Sequence, residues 1–314
     1  MDTITIYLDL PAEERWAFAS AYRNDINQLI ECYLKDIDDY EALFYEMMDA
    51  YKAAFLPSDY LQEIAALAHC CDYNADQVLF ANLYYDVVKY AFACTAYATW
   101  DGETVWHARN LDWWTDNDAL KKYTKIFNYT KGGQTVFQSV GWVGFVGVLS
   151  GFKPGQFAVT LNAIISEAAP QMARPITFLL REILEGDYRF DTAQKVLKDT
   201  EIVCDCLLLL SGTQADELVV IERMPSQSAT RTVDGGSIVV TNDYHLLHEW
   251  AVDQGNVLGT TSCGRFERAA HLLRQQPPQT ADACYRILND SAVKMGITVQ
   301  QMVFNTKKNQ LVVF

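Results

Sequence analysis

The hydrophobic period of this 314-residue chain changes once, near Cys94, from a helical to a strand repeat, and that switch limits what it can fold into. Residues 1–93 read as helix throughout. Pro11-Ala12-Glu13-Glu14 puts proline and acids in a first turn. A second run spans about Tyr40 to Phe55 and stops before Pro57, and a third follows Ser58 and Asp59. A fourth opens at Asn74 with Gln77 three residues on, a capping-box pattern, and Leu79, Leu83, Val87 and Tyr90 form its apolar stripe. Beyond Cys94, Asp101-Gly102 separates Tyr97–Trp100 from Glu103–His107, a strong hairpin signal. Further strands are expected at 125–129, 135–140, 157–162, 206–210, 218–222, 237–241, 299–305 and 310–314. Helices fall at 176–184 and 191–197, and two more precede the last strand pair. Strand runs broken by helix runs predict a layered α+β fold, not a doubly wound parallel sheet.

Half of the residues are hydrophobic, enough for one large core. The net charge of −15 repels phosphate backbones and argues against a nucleic-acid partner. No basic start leads into an apolar run, so no signal peptide is expected. The least polar stretch, Val140 to Leu149, is far below the ~20 residues that span a bilayer. A cytoplasmic location is the expectation. The eight cysteines are too sparse for a disulfide framework, and reduced thiols fit best. His69-Cys70-Cys71, Cys204 with Cys206, and His245 with His248 lack the spacing of a four-ligand metal site, so no metal is expected. Asn128-Tyr129-Thr130 and Asn289-Asp290-Ser291 match a glycosylation pattern and read as chance.

A cysteine that starts a strand directly after a long helical segment is an unusual placement. Arg109 and Asp112 follow just past the hairpin and return toward the start of the strand bearing Cys94. A cation beside a thiol lowers its pKa, and a carboxylate can hold an ammonium group. On spacing alone, a buried structural cysteine near a surface ion pair is the favoured reading, because free cysteine is often simply core.

Several ordered motifs narrow this. Pro57-Ser58-Asp59-Tyr60-Leu61-Gln62-Glu63-Ile64, Asn82-Leu83-Tyr84-Tyr85, Cys94-Thr95 and His107-Ala108-Arg109-Asn110-Leu111-Asp112 resemble the acid ceramidase and N-acylethanolamine-hydrolysing acid amidase family. So do the run Gly144 to Gly155, Thr160-Leu161-Asn162, Val240-Thr241-Asn242-Asp243-Tyr244 and Gly264-Arg265. The wider family includes bile salt hydrolases and penicillin V acylases. The resemblance implies a four-layer αββα N-terminal-nucleophile (Ntn) hydrolase with an N-terminal helical segment, made as a precursor. Residues 1–93 would be that segment, and 94–314 the catalytic part. Autocleavage between Ala93 and Cys94 would free the Cys94 amine, leaving 1–93 as a non-covalent subunit. An α-amine with a pKa near 8 can take the thiol proton itself, so no cofactor is implied.

Roles carry over residue by residue. Cys94 is the nucleophile, Arg109 sits by the thiol, and Asp112 orients the freed amine. Asn162 and Asn242, each ending an apolar strand, are expected oxyanion donors, and Arg265 braces the site with Arg268 as fallback. The lipid amidases carry a glutamate after the residue matching Asn162; Ala163 and Ile164 stand here instead. Trp113, Trp114, Trp142, Phe145 and Phe152 are candidates for an apolar acyl pocket. The expected substrate is an N-acyl lipid amide of ceramide or N-acylethanolamine type. The alternatives are a penicillin V acylase or bile salt hydrolase-like amidase, or an uncleaved, inactive homologue that binds lipid or a partner. Helices bearing Tyr84, Tyr85, Tyr90 and Phe92 offer a surface for transient membrane contact.

Overall fold

A computed structural model describes residues 1–35, 41–87, 92–114, 118–164, 166, 168–233, 236–250 and 257–314. The first element corrects the all-helical reading of the N-terminal segment: β1 (Thr3–Tyr7) is a strand. Its Thr-Ile-Thr-Ile-Tyr alternation has the period of two that strands require. Ala12–Glu14 and Ala17–Tyr22 then form 3-10 turns rather than an α-helix. Helices α1 (Arg23–Lys35), α2 (Glu41–Phe55), α3 (Ser58–Cys70) and α4 (Ala75–Val87) follow. The capping box forms as expected: the Asn74 N–H donates to Gln77 Oε1, and the Gln77 N–H donates to Asn74 Oδ1.

Helix α4 does not present a single apolar stripe. Val78 through Asp86 are all buried, so the helix is covered on every side. Tyr84 and Tyr85 are among them, which removes these two from any membrane-contact surface. Tyr90 lies outside the described residues.

Two sheets face each other. Strands β2 (Phe92–Trp100) and β3 (Val105–Trp113) form the expected hairpin, with Gly102 at φ 101° in its turn. Further on come α5 (Ala119–Lys122), β4 (Thr124–Lys131), β5 (Gln134–Trp142), β6 (Ser150–Lys153) and β7 (Phe157–Asn162). Then follow α6 (Ile176–Glu185), α7 (Phe190–Asp199), β8 (Cys206–Ser211), β9 (Leu218–Arg223), β10 (Ser228–Thr232) and β11 (Ser237–Val240). The chain closes with α8 (Val257–Gln275), α9 (Ala281–Leu288), β12 (Thr298–Asn305) and β13 (Gln310–Val313). The larger sheet runs β1-β4-β5-β6-β7-β8-β9-β10 and the smaller runs β11-β2-β3-β12-β13. Strand β1 joins the first sheet in parallel beside β4.

Helices α6 and α7 cover the outer face of the large sheet, and α8 and α9 cover that of the small one. This is the expected four-layer αββα order. Alternation along β2 sorts its side chains between layers: Ala96 and Ala98 pack between the sheets, and Tyr97 packs against α8 and α9. Ala158, Phe152, Met302 and Phe304 complete the inter-sheet core, so Phe152, a pocket candidate, is fully buried core. A second correction concerns the change of period: β2 begins at Phe92, so the Ala93–Cys94 bond lies inside a strand and not at its edge.

Candidate active site

Register places Cys94, Ala96 and Ala98 opposite Leu111, Arg109 and His107. The small residues of β2 leave room for the two large polar side chains of β3 to lie across them toward the other sheet. Arg109 Nη2 donates to Cys94 Sγ at 3.2 Å and also to the Leu161 carbonyl. Its Nη1 donates to the Leu149 carbonyl at 2.8 Å and to Ser150 Oγ. The thiol lies 3.8 Å from the Leu161 carbonyl and is 1% exposed. One buried guanidinium thus bonds the thiol, the carbonyl beside it and both groups at the start of β6.

The Cys94 backbone is held from the other side. Its N–H donates to Asn242 Oδ1 at 3.1 Å, and its carbonyl accepts from Arg265 Nη1 at 2.6 Å. Arg265 Nη1 also reaches Thr95 Oγ1 at 2.9 Å, and Nη2 reaches Asn242 Oδ1 at 2.8 Å. Asn242 lies two residues beyond the end of β11, the strand paired with β2, so its register carries it to Cys94. Arg268 points away and pairs with Asp290, so Arg265 alone braces the site.

Asp112 sits opposite Ala93, on the face of the sheet away from the thiol. Thr298 donates to its Oδ1, while its buried Oδ2 has no hydrogen-bond partner. Burial pushes this carboxyl up to about 6, against the pull of Thr298, Arg265 and Arg109. The unpaired oxygen is an open acceptor directly across from the residue that precedes Cys94.

The asparagines are arranged differently from the expected pair of oxyanion donors. Asn162 Nδ2 donates to the Val240 and Thr241 carbonyls, at 3.2 and 2.9 Å. Asn242 Nδ2 donates to the Ala163 carbonyl at 2.7 Å. In the intact chain each amide ties the end of β7 to the end of β11. Of the aromatic candidates, Trp113 is buried, stacks on Tyr84 and meets Trp142 edge-on, and Trp142 meets Phe145. Trp142 and Phe145 line a crevice against α1 with Ile26, Leu29, Ile30 and Tyr33; it encloses about 20 Å³, room for about one water. Trp114 is 65% exposed.

Sequence reasoning missed Ser150, Thr298 and the Leu161 carbonyl. Ser150 lay within a quoted motif. Thr298 becomes a neighbour of Asp112 only through the register of β12 on β3, which leaves no local trace. It also missed Glu222, whose buried carboxylate accepts the backbone N–H groups of His245, Leu246 and Leu247 and an Arg231 bond. This anchors the loop that follows Asn242. Among the described residues, no group of three or more His, Cys, Asp or Glu is placed to hold a metal, and no helix is long and apolar enough to cross a membrane. Cys206 is buried in β8, and Cys204 meets Asp86.

The profile described as acyl-coenzyme A:6-aminopenicillanic acid acyl-transferase matches residues 99–309. The chain belongs to this family. Acid ceramidase of Balaenoptera acutorostrata scammoni is 28% identical over 254 residues, covering 71% of this chain and 64% of that protein. Acid ceramidase of Rattus norvegicus is 25% identical over 259 residues, with the same coverage. The chain thus spans 64% of the length of these relatives. The structure of the Caenorhabditis elegans N-acylethanolamine-hydrolyzing acid amidase ortholog superposes with a TM-score of 0.57 at 23% identity. The match covers 67% of this chain and 92% of that one, and the two share the Ntn-hydrolase fold.

Proposed function

We propose that the protein is a self-processing cysteine amidase. Cys94 Sγ attacks the Ala93 carbonyl, the Ala93–Cys94 C–N bond breaks, and the departing nitrogen takes the thiol proton. Water then hydrolyses the thioester, leaving an Ala93 carboxylate and a Cys94 thiol with a free α-amine. The new ammonium has a vacant acceptor in Asp112 Oδ2. In each later turnover the amine, with a pKa near 8, takes the thiol proton, the thiolate attacks an N-acyl amide, the amine product leaves, and water releases the acid.

The observation that carries this reading is the pairing of Arg109 Nη2 with Cys94 Sγ at 3.2 Å, while Asn242 and Arg265 grip the same residue's backbone. The names of the relatives support N-acyl lipid amides of the ceramide or N-acylethanolamine kind as substrates. The family's own description favours a second reading, in which an amine rather than water takes the acyl group from Cys94. Residues 1–93 stay attached after cleavage through β1 and the buried contacts of α3 and α4.

The test is intact mass under denaturing conditions, with a Cys94→Ala control. Two fragments dividing between Ala93 and Cys94, absent in the control, are expected, together with hydrolysis of an acyl-amide panel. A chain that stays whole and cleaves no amide refutes the reading. Acyl-amine products in place of free acid would establish the second reading.

A further inference from the structure

One buried polar side chain beside the site has no part in the mechanism above. His107 lies two residues before Arg109 on the same face of β3, opposite Ala98 and Phe304. It is 1% exposed. Its Nδ1 lies 2.8 Å from Ser211 Oγ on β8, and its Nε2 lies 2.9 Å from Thr160 Oγ1 on β7. The ring therefore spans from the small sheet to two adjacent strands of the large one, standing edge-on to Phe304. Burial, helped by the Arg109 charge, pushes the imidazole down to about 3, so it is neutral. A neutral ring has one donor and one acceptor, and two rotatable hydroxyls satisfy either tautomer.

Thr160 immediately precedes Leu161, whose carbonyl accepts from Arg109 and lies beside the Cys94 thiol. Thr160 also pairs in register with Ser150, the other Arg109 contact. His107 and Arg109 thus grip neighbouring positions of the same strand pair.

We propose that His107 is a positioning residue for the Cys94 chemistry: by tying Thr160 and Ser211 to β3, it sets where the Leu161 carbonyl and the Arg109 guanidinium meet the thiol. The inference rests on Cys94 being the nucleophile. Because the ring is uncharged, it fixes distance without repelling Arg109. Misplacing a reacting group by about an ångström costs about 100-fold in rate.

The test uses the self-cleaved enzyme and Thr160→Val, which deletes the hydroxyl and keeps the shape, beside Thr160→Ser, which keeps the hydroxyl. His107→Leu is the direct variant, and Thr160→Val decides the matter should His107→Leu fail to fold. Thr160→Val is expected to lower kcat by about 100-fold with KM held, as Arg109 turns from the thiol. Thr160→Ser is expected to restore kcat. A folded Thr160→Val with unchanged kcat overturns the inference, as does a fall in Tm alone, which marks mere inter-sheet packing. A wild type that neither self-cleaves nor hydrolyses any amide brings down the amidase reading and this inference together. An active wild type with indifferent variants brings down only this one.

Discussion

Replacing Asp86 with asparagine should relieve a stability loss that the fold suffers as pH rises toward neutrality. Asp86 is fully buried on α4. Its Oδ1 accepts from the Ile176 N–H at the start of α6 at 3.0 Å and from the Cys204 thiol at 3.8 Å. Its Oδ2 has no partner. Burial pushes the carboxyl up to about 7, and these two donors offset only part of that. In the unfolded chain the same carboxyl titrates near 3.8. The native state therefore holds the proton more tightly, so the stability linked to it is complete below pH 3.8 and lost as pH rises through about 7. At about 1.36 kcal/mol for each tenfold change in proton affinity, the full loss is about 4 kcal/mol. Asparagine keeps the oxygen that Ile176 needs and cannot ionise. The measurement is urea unfolding of the Cys94→Ala chain, with and without Asp86→Asn, from pH about 4 to about 8. The asparagine chain should gain on its parent steadily across that window, by about 4 kcal/mol in all. A difference between the two that stays constant with pH would refute the reasoning.

Glu63→Gln should destabilise the chain by about 3–5 kcal/mol in the same urea assay, because the fully buried Arg181 loses its bidentate partner. Joint replacement of both residues by leucine and methionine should recover only part of that loss, because Trp16 Nε1 and Arg15 also donate to Glu63 and stay unpaired; a neutral Glu63→Gln would contradict the account. Glu222→Gln should speed amide hydrogen exchange at His245, Leu246 and Leu247 and slow self-cleavage, since an amide NH2 faces those N–H groups less well than a carboxylate; unchanged exchange would count against it. The pH profile of self-cleavage should bend near pH 6, where Asp112 titrates, and Asp112→Asn should remove that bend.

Strong local signals in the sequence matched the structure closely. Asp101-Gly102 marked the hairpin, Asn74 and Gln77 marked the α4 cap, and Phe157–Asn162 formed a strand with the same ends. Strands β1, β6 and β10 went unread. The first sits in a segment of otherwise helical character, and β6 is four residues of a Gly-rich run. The third, Ser-Ala-Thr-Arg-Thr, is a half-buried edge with little apolar signal. Cys94, Arg109, Asn242 and Arg265 converge in space, and Asp112 occupies the other face of the same strand pair. What the sequence could not convey was the direction of each amide. Whether Asn162 donates toward the thiol or toward Val240 depends on which carbonyls lie within reach where β7 meets the end of β11. That is decided by packing between distant strands.

The placement of β2 sets a clock. Its flanking strands are β3, which starts at Val105 just past the turn, and β11, which is not made until Val240 has left the ribosome. The grip on the Cys94 carbonyl waits longer still, for Arg265 on α8. Strand β1, at the opposite end of the chain, has no neighbour until β4 is made. A nascent chain emerging from its N-terminus thus carries Cys94 and Arg109 for much of synthesis without the two side chains that grip the Cys94 backbone. On the proposed reading, truncations ending before Arg265 stay whole, and the cut reports that the last layer of helices has docked.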